Sequence, residues 1–221
     1  MIDNSADLLI ALDRLKLIDD DRYPHWWRSY GSWWIIVEAI LTQQTKWENV
    51  EKSVENLKNL GVKSLKSLLD ADVQKVALAI TPAGFYNQKT ARILQLAARM
   101  QKDFGGFEQF CENAQREWLL ECTGIGFETA DSILCYGCKK AVMTADNYSA
   151  KLLAALGFET DEYSAVQEWL IAGVQAERKR IAEILPLEDA ELYAYFHGLI
   201  VEFCKGQKRG QIDITPLVQK A

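Results

Sequence analysis

The sequence predicts an all-α protein. Apolar residues recur at helical spacing in segment after segment, strict alternation of Val, Ile and Thr is scarce, and only four prolines interrupt the chain. The length of 221 residues, 49% hydrophobic and 25% charged, allows one large domain or two small ones with a real core.

Leu8, Leu9, Ala11, Leu12 and Leu15 form the first stripe, so residues 5–17 are expected to be helical. A polar break over 19–24 precedes the aromatic cluster His25-Trp26-Trp27-Arg28. An apolar helix is expected over 33–42, with Trp33 and Trp34 in the core, and an amphipathic one over 45–60. Two shorter helices cover 62–71 and 72–80, and Thr81-Pro82-Ala83-Gly84 reads as a turn. A long helix over 87–104 is ended by Gly105 and Gly106, because a left-handed cap costs glycine little. Helices over 107–114 and 116–122 lead into Gly124-Ile125-Gly126. Beyond it the pattern predicts helices near 127–137, 147–155, 161–175, 177–184 and 188–204. The tail 205–221 has no clear stripe.

Trp118, Leu119 and Leu120 close one apolar run, and Ala130, Ile133 and Leu134 open another. Between them Gly124 and Gly126 permit a hairpin in which a Cβ is expected to clash. The first amides of the second helix have no internal partner and its dipole favours an anion, so the hairpin can seat a phosphate. Taken alone, the pattern is equally an ordinary helix connection with a glycine cap.

The net charge of −6 argues against a protein that coats nucleic acid by charge alone. DNA contacts would have to come from backbone amides, helix N-termini and a few local cations, with Lys46, Lys89 and Arg92 as candidates. No apolar run is long enough to span a bilayer and no secretory pattern opens the chain. The expectation is a cytoplasmic protein with no membrane partner and five reduced cysteines. His25 and His197 have no metal-ligand spacing, and Cys135 and Cys138 lack a second pair, so they read as buried thiols.

Four blocks appear in order: Ile40-Leu41-Thr42-Gln43-Gln44-Thr45, Gly84-Phe85-Tyr86-Asn87-Gln88-Lys89-Thr90-Ala91, the Gly124-Ile125-Gly126 hairpin, and Ala145-Asp146-Asn147-Tyr148. Through them the chain resembles the helix–hairpin–helix (HhH-GPD) base-excision DNA glycosylases of the endonuclease III superfamily. Within it, the paired tryptophans 26–27, the GFYNQK and REWLL runs, the cysteines after the hairpin and the FHG run at 196–198 look like the bacterial 3-methyladenine DNA glycosylase III group.

The resemblance implies a two-lobed, all-α fold with the active-site cleft between the lobes. One lobe would be a helical barrel over 30–140, carrying the helix–hairpin–helix near 116–137. The other would be discontinuous, from 1–29 plus 141–221. It further implies a monofunctional glycosylase that hydrolyses the N-glycosidic bond of alkylated purines, flipping the base into an aromatic pocket. Asp146 would stabilise charge on the sugar and assist water attack; by local pattern it is also a helix N-cap. Trp26, Trp27 and Trp47 match the pocket aromatics, where a cationic base gains from stacking, although Arg28 stands where proline is expected. Gln43 would fill the gap left by the flipped base, or else remain a helix-end glutamine bonded to backbone.

Other positions bear on mechanism and cofactors. Bifunctional relatives carry a lysine two residues after the second hairpin glycine; here that position is Glu128, which cannot form an imine. Cys204 stands alone where relatives hold an iron–sulfur cluster on four cysteines, so no cluster is expected. The backbone of Leu120, Cys122 and Ile125 matches a site for a monovalent cation, sodium or potassium, in relatives. The expected partner is damaged double-stranded DNA, met by a monomer. The alternatives are a bifunctional glycosylase with lyase activity and a non-catalytic DNA-binding module.

Overall fold

Asn4 opens the first helix by accepting the amides of Ala6 and Asp7 at 2.9 and 3.0 Å, a side-chain cap that satisfies two otherwise orphaned donors. A computed structural model describes residues 2–158, 160, 162–208 and 211–218. Among them are fourteen α-helices and no strand. In chain order they are α1 (Ser5–Asp13), α2 (Trp34–Leu41), α3 (Trp47–Asn59), α4 (Leu65–Leu69), α5 (Val73–Ala79), α6 (Tyr86–Phe104) and α7 (Phe107–Asn113). There follow α8 (Arg116–Leu120), α9 (Phe127–Ser132), α10 (Asn147–Ala155), α11 (Tyr163–Ala176), α12 (Arg178–Ile184), α13 (Asp189–Lys205) and α14 (Thr215–Val218). The all-α expectation holds.

The chain divides into two compact units: Met1–Tyr30 with Lys139–Ala221, and Gly31–Cys138. In the first unit α1 packs on α11 and α13, burying Leu8, Leu9 and Leu12 completely. The approach to α11 is close enough that a Cβ on Gly173 would lie 2.7 Å from the Ser5 backbone nitrogen. The α1 helix stops short of the expected residue 17. The amides of Leu15 and Lys16 turn back to Leu12 and Asp13 at 3.0 Å, and Lys16 enters the left-handed region at φ 50°. The tail supplies α14, whose Leu217 is fully buried and which packs on α1. One helical turn carries a single apolar anchor, so no periodicity announces it.

In the second unit α2 is apolar except for Glu38, itself buried, as suits a central helix; Ile35, Ile36, Val37, Ile40 and Leu41 are completely buried. It packs on α3, α6 and α9. Trp33 and Trp34, expected in the core, are only half-buried. They stand at the N-terminal end of α2, with ring centroids 4.3 Å apart and the Lys58 ammonium 5.5 Å over Trp34. The α6 helix ends as its glycines predict, at Gly105 with φ 83°. The helix after the hairpin continues from α9 into a π-turn over Ile133–Gly137.

Candidate active site

In the first unit the extended backbone of Asp146 caps α10. Its Oδ1 accepts the Ser149 amide at 2.9 Å and the Ser149 hydroxyl at 3.1 Å. That leaves Oδ2 directed to His197 Nε2, 3.7 Å away on α13. Both side chains are enclosed, Asp146 with 13% and His197 with 6% of its surface exposed. Burial works to raise the Asp146 pKa, but the imidazole and the two Ser149 donors outweigh it and hold the carboxyl below the usual carboxylate value. The site therefore keeps an anion where desolvation would otherwise favour a neutral acid.

Next to this pair, the Trp26 ring meets the His197 ring edge-on at 5.5 Å and the Trp27 ring edge-on at 5.9 Å. Trp26 adopts φ 57°, a strained conformation for a bulky residue. It is fixed from two sides. Its Nε1 donates to Glu202 Oε1 at 2.8 Å. Its Cβ and Cγ lie over Gly198, where an added Cβ would approach to 2.4 Å, so glycine is required beneath the indole. Trp27 is buried and lines a cavity of about 570 Å³ with Arg22, His25, Arg28 and Tyr30. Arg28, at the position of the expected proline, pairs there with Asp21 at 2.6 Å.

Cys204 lies near the same carboxylate. Burial, reinforced by the Asp146 charge, pushes its thiol up to about 12, so it is not a thiolate at neutral pH. Among the described residues, no group of three or more His, Cys, Asp or Glu side chains is placed to hold a metal. Cys135 is buried and Cys138 half-buried; the five cysteines form no disulfide.

The second unit contains the hairpin. Gly124 takes φ 78°, a conformation that favours glycine, and a Cβ there would lie 2.3 Å from Arg92 Nε and have to displace that guanidinium. Gly126 differs from expectation. Its φ is −97° and no atom lies within 4 Å of where a Cβ would stand; the chain itself imposes no clash. That open space lies outside the first amides of α9. Arg116 clamps the hairpin's two helices, its guanidinium meeting both oxygens of fully buried Asp131 at 2.7 Å. Glu128 is exposed in the first turn of α9, where the helix dipole favours a carboxylate.

Gln43 joins the α2 end to this hairpin. Its Nε2 donates to the Gly124 carbonyl at 3.0 Å and to Thr129 Oγ1 at 3.1 Å, and its Oε1 accepts from Arg92 Nη1 at 3.0 Å. In this structure the side chain is thus bonded to backbone, the second of the two roles open to it. Lys46 is exposed as the N-cap of α3, and Trp47 is half-buried at its first position.

Lys89 overturns its expected role as a phosphate contact. It is 2% exposed, and its ammonium donates to the carbonyls of Leu41, Gln43 and Ala83 at 2.9, 2.9 and 3.0 Å and to Thr45 Oγ1 at 2.6 Å. An ammonium has three protons; four protein oxygens occupy them, and the side chain cannot reach a phosphate. Burial, with the nearby Arg92 charge, lowers its pKa to about 8.

Two site residues escape the sequence reading. His197 lies 51 residues after Asp146, and only its place in the FHG run hinted at a role. Phe85 is 64% exposed at φ 44°; an exposed aromatic in a strained backbone is a signal only coordinates display.

Comparison with known proteins gives this arrangement a context. The model of the HhH-GPD superfamily base excision DNA repair protein matches residues 37–175. A Methanocaldococcus jannaschii protein named as a DNA repair glycosylase is 30% identical, covering 98% of this chain and 97% of its own. Among solved structures, the H. pylori 3-methyladenine DNA glycosylase bound to 1,N6-ethenoadenine is 40% identical with a TM-score of 0.87. That match covers 91% of this chain and 97% of that one. A non-covalent endonuclease III–DNA complex shares the fold at 16% identity and a TM-score of 0.71, covering 98% of this chain and 94% of that one.

Proposed function

This chain belongs to the HhH-GPD superfamily of base excision DNA repair proteins, and on that premise we propose that it is a monofunctional glycosylase for alkylated purines in damaged duplex DNA. The observation that carries the reading is the enclosed Asp146 anion, held by Ser149 and His197 beside the fixed indole of Trp26.

The chemistry follows from the charges. As the bond from the anomeric carbon to the purine nitrogen breaks, both electrons leave with the base and the sugar becomes cationic. An N-alkylated purine carries a positive charge beforehand and departs neutral, so it is the better leaving group. An enclosed carboxylate stabilises the sugar cation at no reorganisation cost. Water then adds to the anomeric carbon and gives its proton up to the solvent. Because the Asp146 pKa lies low, the carboxylate is a firm anion and a weak base. Its main contribution is electrostatic and its second is to orient that water.

Extrusion of the base costs a few kcal/mol, least for a weakly paired lesion. Trp26 and Trp27 supply aromatic surface near Asp146, and Trp47 takes a stacking role by resemblance. Trp47→Leu keeps apolar bulk and removes the strong ring quadrupole. Excision of 3-methyladenine should then fall by about tenfold, the scale of base–aromatic stacking, with a smaller change in melting temperature. A large loss of stability with normal excision by the folded fraction would place Trp47 in the core instead.

On the DNA side, the open space at Gly126, the α9 amides and exposed Lys46 are the proposed phosphate contacts. Gln43, once released from Gly124 and Arg92, is the proposed gap-filling side chain, with exposed Phe85 as a second wedge. The carbonyls of Leu120, Cys122 and Ile125 have the chemistry to hold a sodium or potassium ion; that of Cys122 already accepts the Ile125 amide at 3.1 Å and retains a second lone pair. Because Cys204 stands alone where a cluster needs four cysteines, no iron–sulfur cluster is proposed. The protein is proposed to act as a cytoplasmic monomer.

Glu128 in place of the lyase lysine, together with the burial of Lys89, motivates the mechanistic test. Duplexes carrying 3-methyladenine, 7-methylguanine or 1,N6-ethenoadenine are incubated with enzyme and resolved with and without alkali. Strand breaks are expected only after alkali, and borohydride should trap no protein–DNA adduct. Breaks without alkali, or a trapped adduct at lyase stoichiometry, would establish the bifunctional alternative; absence of base release from every lesion would support the non-catalytic one.

A further inference from the structure

We infer that His197 is a positioning residue for base release: with its Nε2 facing Oδ2 it holds Asp146 anionic and oriented, and through the same ring it ties the carboxylate to Trp26. The inference rests on the catalytic reading of Asp146. The geometry assigns each Asp146 oxygen a separate task. Oδ1 is taken by the Ser149 amide and hydroxyl, whereas Oδ2 is 3.7 Å from His197 Nε2. The imidazole also meets the edge of Trp26 at 5.5 Å, and the next residue, Gly198, allows that indole to lie against α13. One turn of α13 thus supports both the anion and an aromatic wall.

The surrounding groups leave the His197 ring as the partner of Oδ2. Burial, and after it the Asp146 charge, pushes up the Tyr148 phenol on α10 and the Cys204 thiol on α13. Neither group supplies positive charge. Lys151 acts on Cys204 from α10, and Lys205 lies 5.6 Å over the Trp26 ring. Glu202 is engaged by Arg22 at 3.0 Å and by the Trp26 indole. On α1, Asp13 accepts the Tyr195 hydroxyl at 2.7 Å. Without the His197 ring, desolvation of Asp146 would be opposed by the Ser149 donors, and a carboxylate buried in that way takes up its proton nearer neutral pH.

The test compares His197→Gln, which keeps a neutral amide donor, with His197→Phe, which keeps only ring bulk. Single-turnover release from duplex DNA carrying one 7-methylguanine is followed from about pH 4.5 to 8, with the enzyme-free rate subtracted. The wild-type rate should stay level down to the acid end of that range, because Asp146 remains ionised there. In both variants an acid limb should enter the range as the carboxyl takes up its proton about one pH unit or more nearer neutrality. At the upper plateau, His197→Gln should retain rates within about threefold and His197→Phe should lose about tenfold or more, since only the amide can hold the carboxylate's orientation. A level acid end in folded His197→Gln, as in wild type, overturns the inference even if the plateau drops, because a merely structural role does not move a limb. Should His197→Phe fail to fold, the limb of His197→Gln alone decides. Full excision by Asp146→Asn would instead overturn the catalytic reading, independently of either histidine variant.

Discussion

Asp146→Asn is expected to release base at least about two orders of magnitude more slowly while still folding and still binding lesion DNA. The substitution is nearly isosteric, and the asparagine carbonyl can go on accepting the Ser149 amide that Oδ1 accepts now, so the start of α10 should persist. What disappears is the negative charge. The sugar cation then forms in an enclosed site with no anion to meet it, and water has only a neutral amide to align it. A pH signature accompanies the kinetic one. The folded-state pKa of Asp146 lies below its unfolded value, so the group contributes stability above the unfolded pKa and loses it as pH falls through the folded one. The asparagine variant should accordingly be somewhat less stable than wild type at neutral pH, with the difference narrowing in acid. Single-turnover excision and melting at two pH values measure both effects. Unchanged excision, with binding intact, would remove Asp146 from the mechanism.

The parts of the molecule that were legible in sequence are those governed by local interactions. Gly105 ends α6 because one residue's φ decides it. Asp146 reads as an N-cap because its partner, Ser149, is three residues away. The resemblance rested on short contiguous blocks, and the family match over residues 37–175 agrees with it. The remainder was hidden by distance along the chain. The Asp146–His197 contact joins residues of separate helices, and no window spans them. Lys89 has the local pattern of a surface lysine; its burial depends on oxygens from Leu41, Gln43, Thr45 and Ala83 converging on one point. Gly126 looked like Gly124 in sequence, yet one is in the left-handed region and the other is not. Trp33 and Trp34 have the hydrophobicity of core residues, but a helix's N-terminal end can leave such rings half-covered. Pattern reports what a side chain prefers, whereas burial depends on which other segment arrives.

Lys89→Met should lower unfolding stability by about 3 kcal/mol or more and weaken lesion-DNA binding by loosening the segment that carries Gln43. Methionine approximates the length and apolar volume of the lysine stem, so the core around it need not collapse. The loss is in the polar tip. Three carbonyls and one hydroxyl now converge on an ammonium, and each buried group left without a donor costs about 1–3 kcal/mol, less than additively. Thr45 can still donate to Ala83, 2.7 Å away, but the carbonyls of Leu41, the last residue of α2, and of Gln43 just beyond it lose both a hydrogen bond and a cation at the helix's negative end. With its backbone released, Gln43 holds Gly124 and Arg92 less firmly, which couples the change to the hairpin. The pH dependence has an unusual sign. The folded pKa of about 8 lies below the ordinary 10.5, so the penalty for burying the charge is full below the folded value and is relieved as pH rises toward the unfolded one. Wild type should therefore gain stability against Lys89→Met between those two values. Urea melts at neutral pH and near the upper end of that window, alongside a binding titration, test the chain of reasoning. Wild-type stability in Lys89→Met would mean that the four oxygens find other donors, and that the ammonium does not hold the segment in place.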